Sequence, residues 1–264
     1  MTNEEYIQAV HQRRSRRAYQ SRHLSEDYKA ILREMVEAVN EKSGLHFIFV
    51  EDATPAFRIF AGKFSMIVMC GPDSQKARED CGYYGESVML QCVYHGLGTC
   101  WVGGTYNENK TYEMIDLPQN ERIYCVMTVG YPKEKLSTLE KAMYKTLHKT
   151  SKSYQDMFDY ADDKLPEAYT AGMKLVELAP SAVNRRPVKF RYENGVLSAS
   201  VEDPYSDKSI DLGIAKLHFL LGVRSAGVNG RWTYENAFEE VHPERIKFSG
   251  EGADSNDENE NEED

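Results

Sequence analysis

The feature that most restricts this chain is an internal repeat. GYYGESVMLQCVYHGLGTCW, ending at Trp101, and GIAKLHFLLGVRSAGVNGRW, ending at Trp232, align at an offset of 131 residues. The alignment pairs Gly82 with Gly213, Leu90 with Leu221, Gly96 with Gly227, and the only two tryptophans of the chain with each other. A second pair of segments precedes these in the same order. One begins at Tyr28 (YKAILREMVEAVNEKSGLHFIFVED) and the other at Tyr169 (YTAGMKLVELAPSAVNRRPVKFRYENG). Tyr28, Leu32, Met35 and Val39 make an apolar helical stripe, and Tyr169, Met173 and Val176 keep its spacing. Each helix then leads to a strand-like run. One match could be convergence of ordinary helix–turn–strand pieces; two in the same order favour duplication.

The copies differ where chemistry could reside. The second has the loop Ala179-Pro180-Ser181-Ala182-Val183-Asn184, where the first continues as helix through Val39 and Asn40. The first has Gly103-Gly104 after its tryptophan, where the second has Thr233-Tyr234. Two such halves packed as a pseudo-twofold pair would build one good site from both and leave its counterpart decayed.

Periodicity predicts helices near 3–12, 26–42, 78–96 and 107–115, and strands at 45–51, 64–70 and 122–130. A Lys-rich linker over 133–152 leads to helices at 154–160, 166–179 and 208–226. Strands are expected at 188–193, 196–201 and near 241–248. Long helices around few strands imply an α+β fold, with two pseudo-symmetric halves and helices packed around a mainly antiparallel sheet. The expected division is 1–150, a diverged second half over 151–248, and a tail over 249–264.

That tail explains most of the net charge of −10. Glu251 to Asp264 carries eight acids and no base, leaving about −2 for residues 1–250. It reads as a solvated, disordered extension. Bulk electrostatics therefore do not suggest nucleic-acid binding. No apolar run is long enough to span a membrane, and the N-terminal segment lacks a secretory apolar stretch, so a cytoplasmic protein is expected. Five cysteines without a CxxC pair read as buried free thiols, and the seven histidines lack metal-ligand spacing.

Three motifs remain. Arg13-Arg14-Ser15-Arg16-Arg17 places four guanidinium groups beside a hydroxyl, a donor set suited to one dianionic phosphate. A solvated charged patch, a phosphorylation motif or a nucleic-acid contact would give the same string. Pro180 to Asn184 offers a hydroxyl and an amide to a polar ring edge, or simply stops a helix and turns. Gly103-Gly104 ends a short buried strand and exposes bare backbone to a flat ligand, or is only a turn. Neither a GxGxxG nor a Walker sequence is present.

The order RRSRRAY, GLGTCWVGG, GYP resembles the nitroreductase family of FMN enzymes, and APSAVNRRP is similar to the family's APSxxNxQP loop. The resemblance spans roughly residues 8–235. The loop falls in the second repeat, as in the branch where one tandem chain mimics the usual dimer. The resemblance implies that Arg13, Arg14, Ser15 and Arg17 hold the FMN phosphate and ribityl chain, with Lys149 as a further basic contact. It puts the backbone of Gly103 and Gly104 by the flavin N5 and pyrimidine edge. Pro180, Ser181, Ala182 and Asn184, from the opposite half, would cover the ring. Arg186 stands where the family usually has Gln, and Val188 where it has Trp. The implied activity is ping-pong hydride transfer from NADH or NADPH to a nitroaromatic, quinone or similar acceptor, with no catalytic side chain and no metal. The implied partners are small molecules, and a monomer replaces the dimer because the chain satisfies its own interface. A flavin-storage or sensing protein without turnover, and a nucleic-acid or partner-binding module, are the competing readings.

Overall fold

The computed structural model describes residues 1–147, 151–160, 164–202 and 208–241. Local chemistry accounts for where its elements begin and end. Helix α1 (Asn3–Gln12) opens on a capping box, in which Glu5 N–H donates to the Thr2 hydroxyl and Thr2 N–H donates to the Glu5 carboxylate. Helix α2 (Glu26–Ser43) stops at Gly44, which takes the left-handed conformation (φ 68°) that such caps use. Then come β1 (His46–Val50), β2 (Ser65–Pro72), α3 (Gln75–Tyr94), β3 (Gly98–Val102), α4 (Glu108–Tyr112) and β4 (Glu121–Gly130). The remaining elements are α5 (Thr138–Leu147), β5 (Phe158–Tyr160), α6 (Glu167–Val176), β6 (Val188–Glu193), β7 (Val196–Val201), α7 (Lys208–Ser225), β8 (Gly230–Trp232) and β9 (Ala237–Glu240).

The fold is α+β, with two sheets rather than the single one expected. The first has strand order β1-β2-β4-β3 and the second β5-β6-β7-β9-β8. Apart from the added β5, the two orders are the same when β1, β2, β3 and β4 are read as β6, β7, β8 and β9. All these pairings are antiparallel, while β5 joins β6 in parallel. Splitting the strands between two sheets gives each its own apolar cluster. One holds Phe47, Ile67, Met69 and Met127, the other Phe190, Leu197, Phe219 and Phe238.

Helices α3 and α7 join these clusters. Every residue of α7 from Ser209 to Val223 is buried, which is the pattern of a helix enclosed on all sides. The two helices meet at glycines related by the repeat. A Cβ on Gly82 would lie 2.0 Å from the Ile210 oxygen, and one on Gly213 would lie 1.8 Å from the Glu79 oxygen. Ile210 and Glu79 are themselves 131 residues apart, so each contact is the other with the halves exchanged. The helix ends repeat as well. Leu97 N–H bonds to Cys92 O and Gly96 N–H to Val93 O; at the same offset Val228 N–H bonds to Val223 O and Gly227 N–H to Arg224 O. Gly96 and Gly227 both have positive φ, 77° and 80°.

Three sequence expectations need correction or limitation. The helix expected at 154–160 is a short 3-10 turn (Gln155–Met157) followed by β5, because the open edge of β6 offers ladder partners that outweigh weak local helix preference. The linker expected at 133–152 contains α5, whose start is a capping box in Ser137-Thr138-Leu139-Glu140. There Glu140 N–H donates to the Ser137 hydroxyl and Ser137 N–H to the Glu140 carboxylate. The strand expected near 241–248 lies almost wholly outside the described residues, as do the tail and Lys149. All five cysteines are buried and free. Among the described residues no helix is long and apolar enough to cross a membrane.

Candidate functional site

The arginine run is not a loose surface string. It leaves α1 and lies along the outer edge of β3, where Ser15 bridges to Thr99 and Arg16 N–H donates to Thr99 O at 2.8 Å. A buried carboxylate fixes it there. Glu140 Oε1 accepts N–H from Arg17 at 2.7 Å and Ala18 at 3.2 Å, and Nε–H from Arg16 at 3.1 Å. Burial opposes the charge on Glu140, but these donors and Ser137 outweigh it and hold the carboxyl at about 2. Arg16 is thereby committed to structure, also donating to Lys133 O.

The other members of the run keep binding capacity. The Arg13 guanidinium turns inward, and its Nε is buried with no hydrogen-bond partner. Burial pushes its pKa down, and the Glu86 carboxylate is the largest charge acting the other way. A buried guanidinium with an unmet donor is a receptor for an anionic oxygen. Arg14 is exposed and its guanidinium donates to His11 O and Arg13 O. The Ser15 hydroxyl lies against Cys100, whose thiol is pushed up by burial while Arg17 and Arg13 draw it down. Arg13, Ser15 and Arg17 thus all act on Cys100 of β3. Two residues beyond Cys100 the strand ends, and Gly103 and Gly104 follow it, both exposed, with nothing within 4 Å of where a Cβ would project. Donors suited to a phosphate and an uncovered stretch of backbone therefore lie along one strand, which fits a phosphorylated flat cofactor.

The loop from the second half follows α6. Asp211, near the start of α7, accepts Ala182 N–H at 3.0 Å, and the Ser181 hydroxyl accepts Arg186 N–H at 2.9 Å. Asn184 donates through Nδ2 to Leu147 O at 3.0 Å and Ser151 Oγ at 2.7 Å. Val183, Asn184 and Arg186 all adopt positive φ (46°, 57° and 47°), and such clusters of backbone strain persist where surrounding contacts over-determine them. The two groups meet through α5. Its first turn carries Glu140 against Arg17 and its last residue accepts from Asn184, a separation along the helix of about 10 Å at 1.5 Å per residue. Hence Asn184 is held by protein groups, and α5 links its loop to the arginine run.

The two departures from the loop pattern differ in consequence. Arg186 is folded inward, donating to Lys152 O, with a buried Nε that lacks a partner and a pKa lowered by burial. Val188 is 3 % exposed and belongs to the core of the second half.

The family described as Putative TM nitroreductase matches residues 5–223. The chain belongs to that family. The match spans both repeats. A "Putative NADH dehydrogenase/NAD(P)H nitroreductase" of Archaeoglobus fulgidus is 28% identical over 152 residues, covering 50% of this chain and 87% of that protein. The crystal structure of a putative nitroreductase from Thermotoga maritima has a TM-score of 0.57 at 20% identity, covering 90% of this chain and 94% of that one. That likeness extends the shared nitroreductase fold over nearly the whole chain.

Several residues that build the site carry no local signature in the sequence. Glu140, Glu86 and Asp211 act through partners that are distant in the chain. Only Glu140 had a readable signal, the capping box that begins α5.

Proposed function

We propose that this nitroreductase-family chain is an FMN-dependent NAD(P)H oxidoreductase acting on nitroaromatics, quinones or similar electron-poor acceptors. The observation that carries the reading is the pairing of the arginine run with β3 at Ser15 and Thr99, beside the bare backbone of Gly103-Gly104 that follows the strand. FMN, when bound, supplies the redox chemistry, taking hydride from NADH or NADPH and passing electrons to the acceptor in a ping-pong sequence.

The protein's part is position and electrostatics. Arg13, Arg14 and Arg17 offer guanidinium donors to the phosphate, Ser15 adds a hydroxyl, and Lys149 follows α5 as a further basic contact. Gly103 and Gly104 let main-chain N–H groups approach a planar edge. Pro180, Ser181, Ala182 and Asn184 cover the ring from the other half and exclude water. No side-chain nucleophile or acid–base pair is required. The two halves act as a pseudo-dimer, divided at about residues 150 and 248. This reading is supported by the matching strand orders and the reciprocal glycine contacts. Such a chain satisfies its own symmetric interface and works as a cytoplasmic monomer on small molecules.

A second reading, flavin binding without turnover, is favoured by one feature. Arg186, which stands where the resembling loop has Gln, is turned into the protein and donates to Lys152 O, which changes how the ring or the substrate is gripped. The absorbance spectrum of the purified chain, recorded anaerobically before and after NADH or NADPH, separates the two. Flavin bands that bleach support the oxidoreductase; bands that persist with both donors leave the binding protein; a colourless chain that takes up no added FMN rejects both.

A further inference from the structure

The interior holds a polar chain that the phosphate and ring contacts do not use. Glu86 on α3 and His218 on α7 are both 0 % exposed. Trp101 Nε1–H donates to Glu86 Oε2 at 2.8 Å, and Glu86 Oε1 lies 3.1 Å from His218 Nε2. On its other side, His218 Nδ1 lies 3.0 Å from Leu175 O. A carbonyl can only accept, so Nδ1 carries a hydrogen, and the facing Nε2 and Oε1 require one shared proton to bond. Every polar atom of the Glu86–His218 pair therefore has a partner, the condition under which a buried network rigidifies what it touches.

What it touches are the two sides of the candidate site. Trp101 stands two residues before Gly103, and the Glu86 charge acts on Arg13. Leu175 lies in the last turn of α6, whose chain continues directly into Pro180 and Ser181. We infer that Glu86 and His218 are positioning residues, a buried relay that holds the Arg13–Gly104 side in register with the Pro180–Asn184 rim. A ligand is then gripped at its phosphate and its ring together. The inference rests on the proposed flavin site.

The test compares FMN with riboflavin, which has the ring but no phosphate, by fluorescence titration of the full flavin-free chain. In Glu86→Gln the amide oxygen accepts from Trp101 and its NH2 donates to His218, so the relay persists and the preference for FMN should stay within about twofold of wild type. In Glu86→Ala both hydrogen bonds of the relay are cut, so the preference should fall about tenfold. Trp101→Phe keeps the packing and removes only the donor; it decides the matter if the alanine variant does not fold, and should also lower the preference. A role confined to stability would lower the melting temperature while FMN and riboflavin weaken in step, and an unchanged ratio in both variants overturns the relay. A wild-type chain with no preference for FMN overturns the phosphate site itself, which separates that failure from this one.

Discussion

The Glu140 carboxylate accepts the main-chain N–H of Arg17 at 2.7 Å, which joins the start of α5 to the arginine run. Its carboxyl is held at about 2, below the ordinary 4.5. A group whose pKa is depressed by folding adds stability that is fully present above the unfolded value and lost as pH falls through the folded one. Glu140→Gln should therefore cost about 1–3 kcal/mol at pH 7, in the range of a hydrogen-bonded buried charge. The difference from wild type should shrink between pH 4.5 and about 2. Urea denaturation of both proteins across that range checks it. A constant difference down to pH 2 would remove Glu140 as the anchor.

Gly82 and Gly213 leave no space for a methyl group. The atoms facing them are backbone, which cannot rotate away. Either glycine to alanine should destabilise by about 3 kcal/mol or more, at the upper end of overpacking costs. Because the two sites share one helix crossing, the double variant should cost less than the sum, read by thermal or urea unfolding. Full additivity would mean that the crossing does not adjust as a unit.

Val183 is β-branched, sits at φ 46° and is 61 % exposed, so its side chain adds strain with little packing in return. Val183→Gly should raise stability by about 1 kcal/mol, the lower part of the cost of such a conformation. An unchanged or lower unfolding midpoint contradicts that strain.

Much of the fold is legible in the sequence because its signals are local. The repeat, the helical stripe from Tyr28 and the glycines at 96 and 227 each report on a single turn or face. The segment at 154–160 is not legible as a strand because β5 exists only through its partner β6, which lies about 30 residues later in the chain. The site divides in the same way. RRSRR and GG are contiguous and readable. Glu86 and His218 meet across α3 and α7, and nothing near either residue signals the pairing. Arg186 illustrates a further limit: a sequence shows which residue stands there, but not that its guanidinium turns inward to donate to Lys152 O.

The central claim is that a clamp from the first half and a rim from the second hold one flavin. Equilibrium titration of the flavin-free chain with FMN, for wild type and for Arg13→Ala combined with Arg17→Ala, tests it most directly. Wild type should take up one FMN per chain, and the double variant should lose at least about a hundredfold in affinity, as expected for two charged contacts, while its circular dichroism is unchanged. Retention of one tightly held FMN by the double variant, or no uptake by wild type, would contradict the claim.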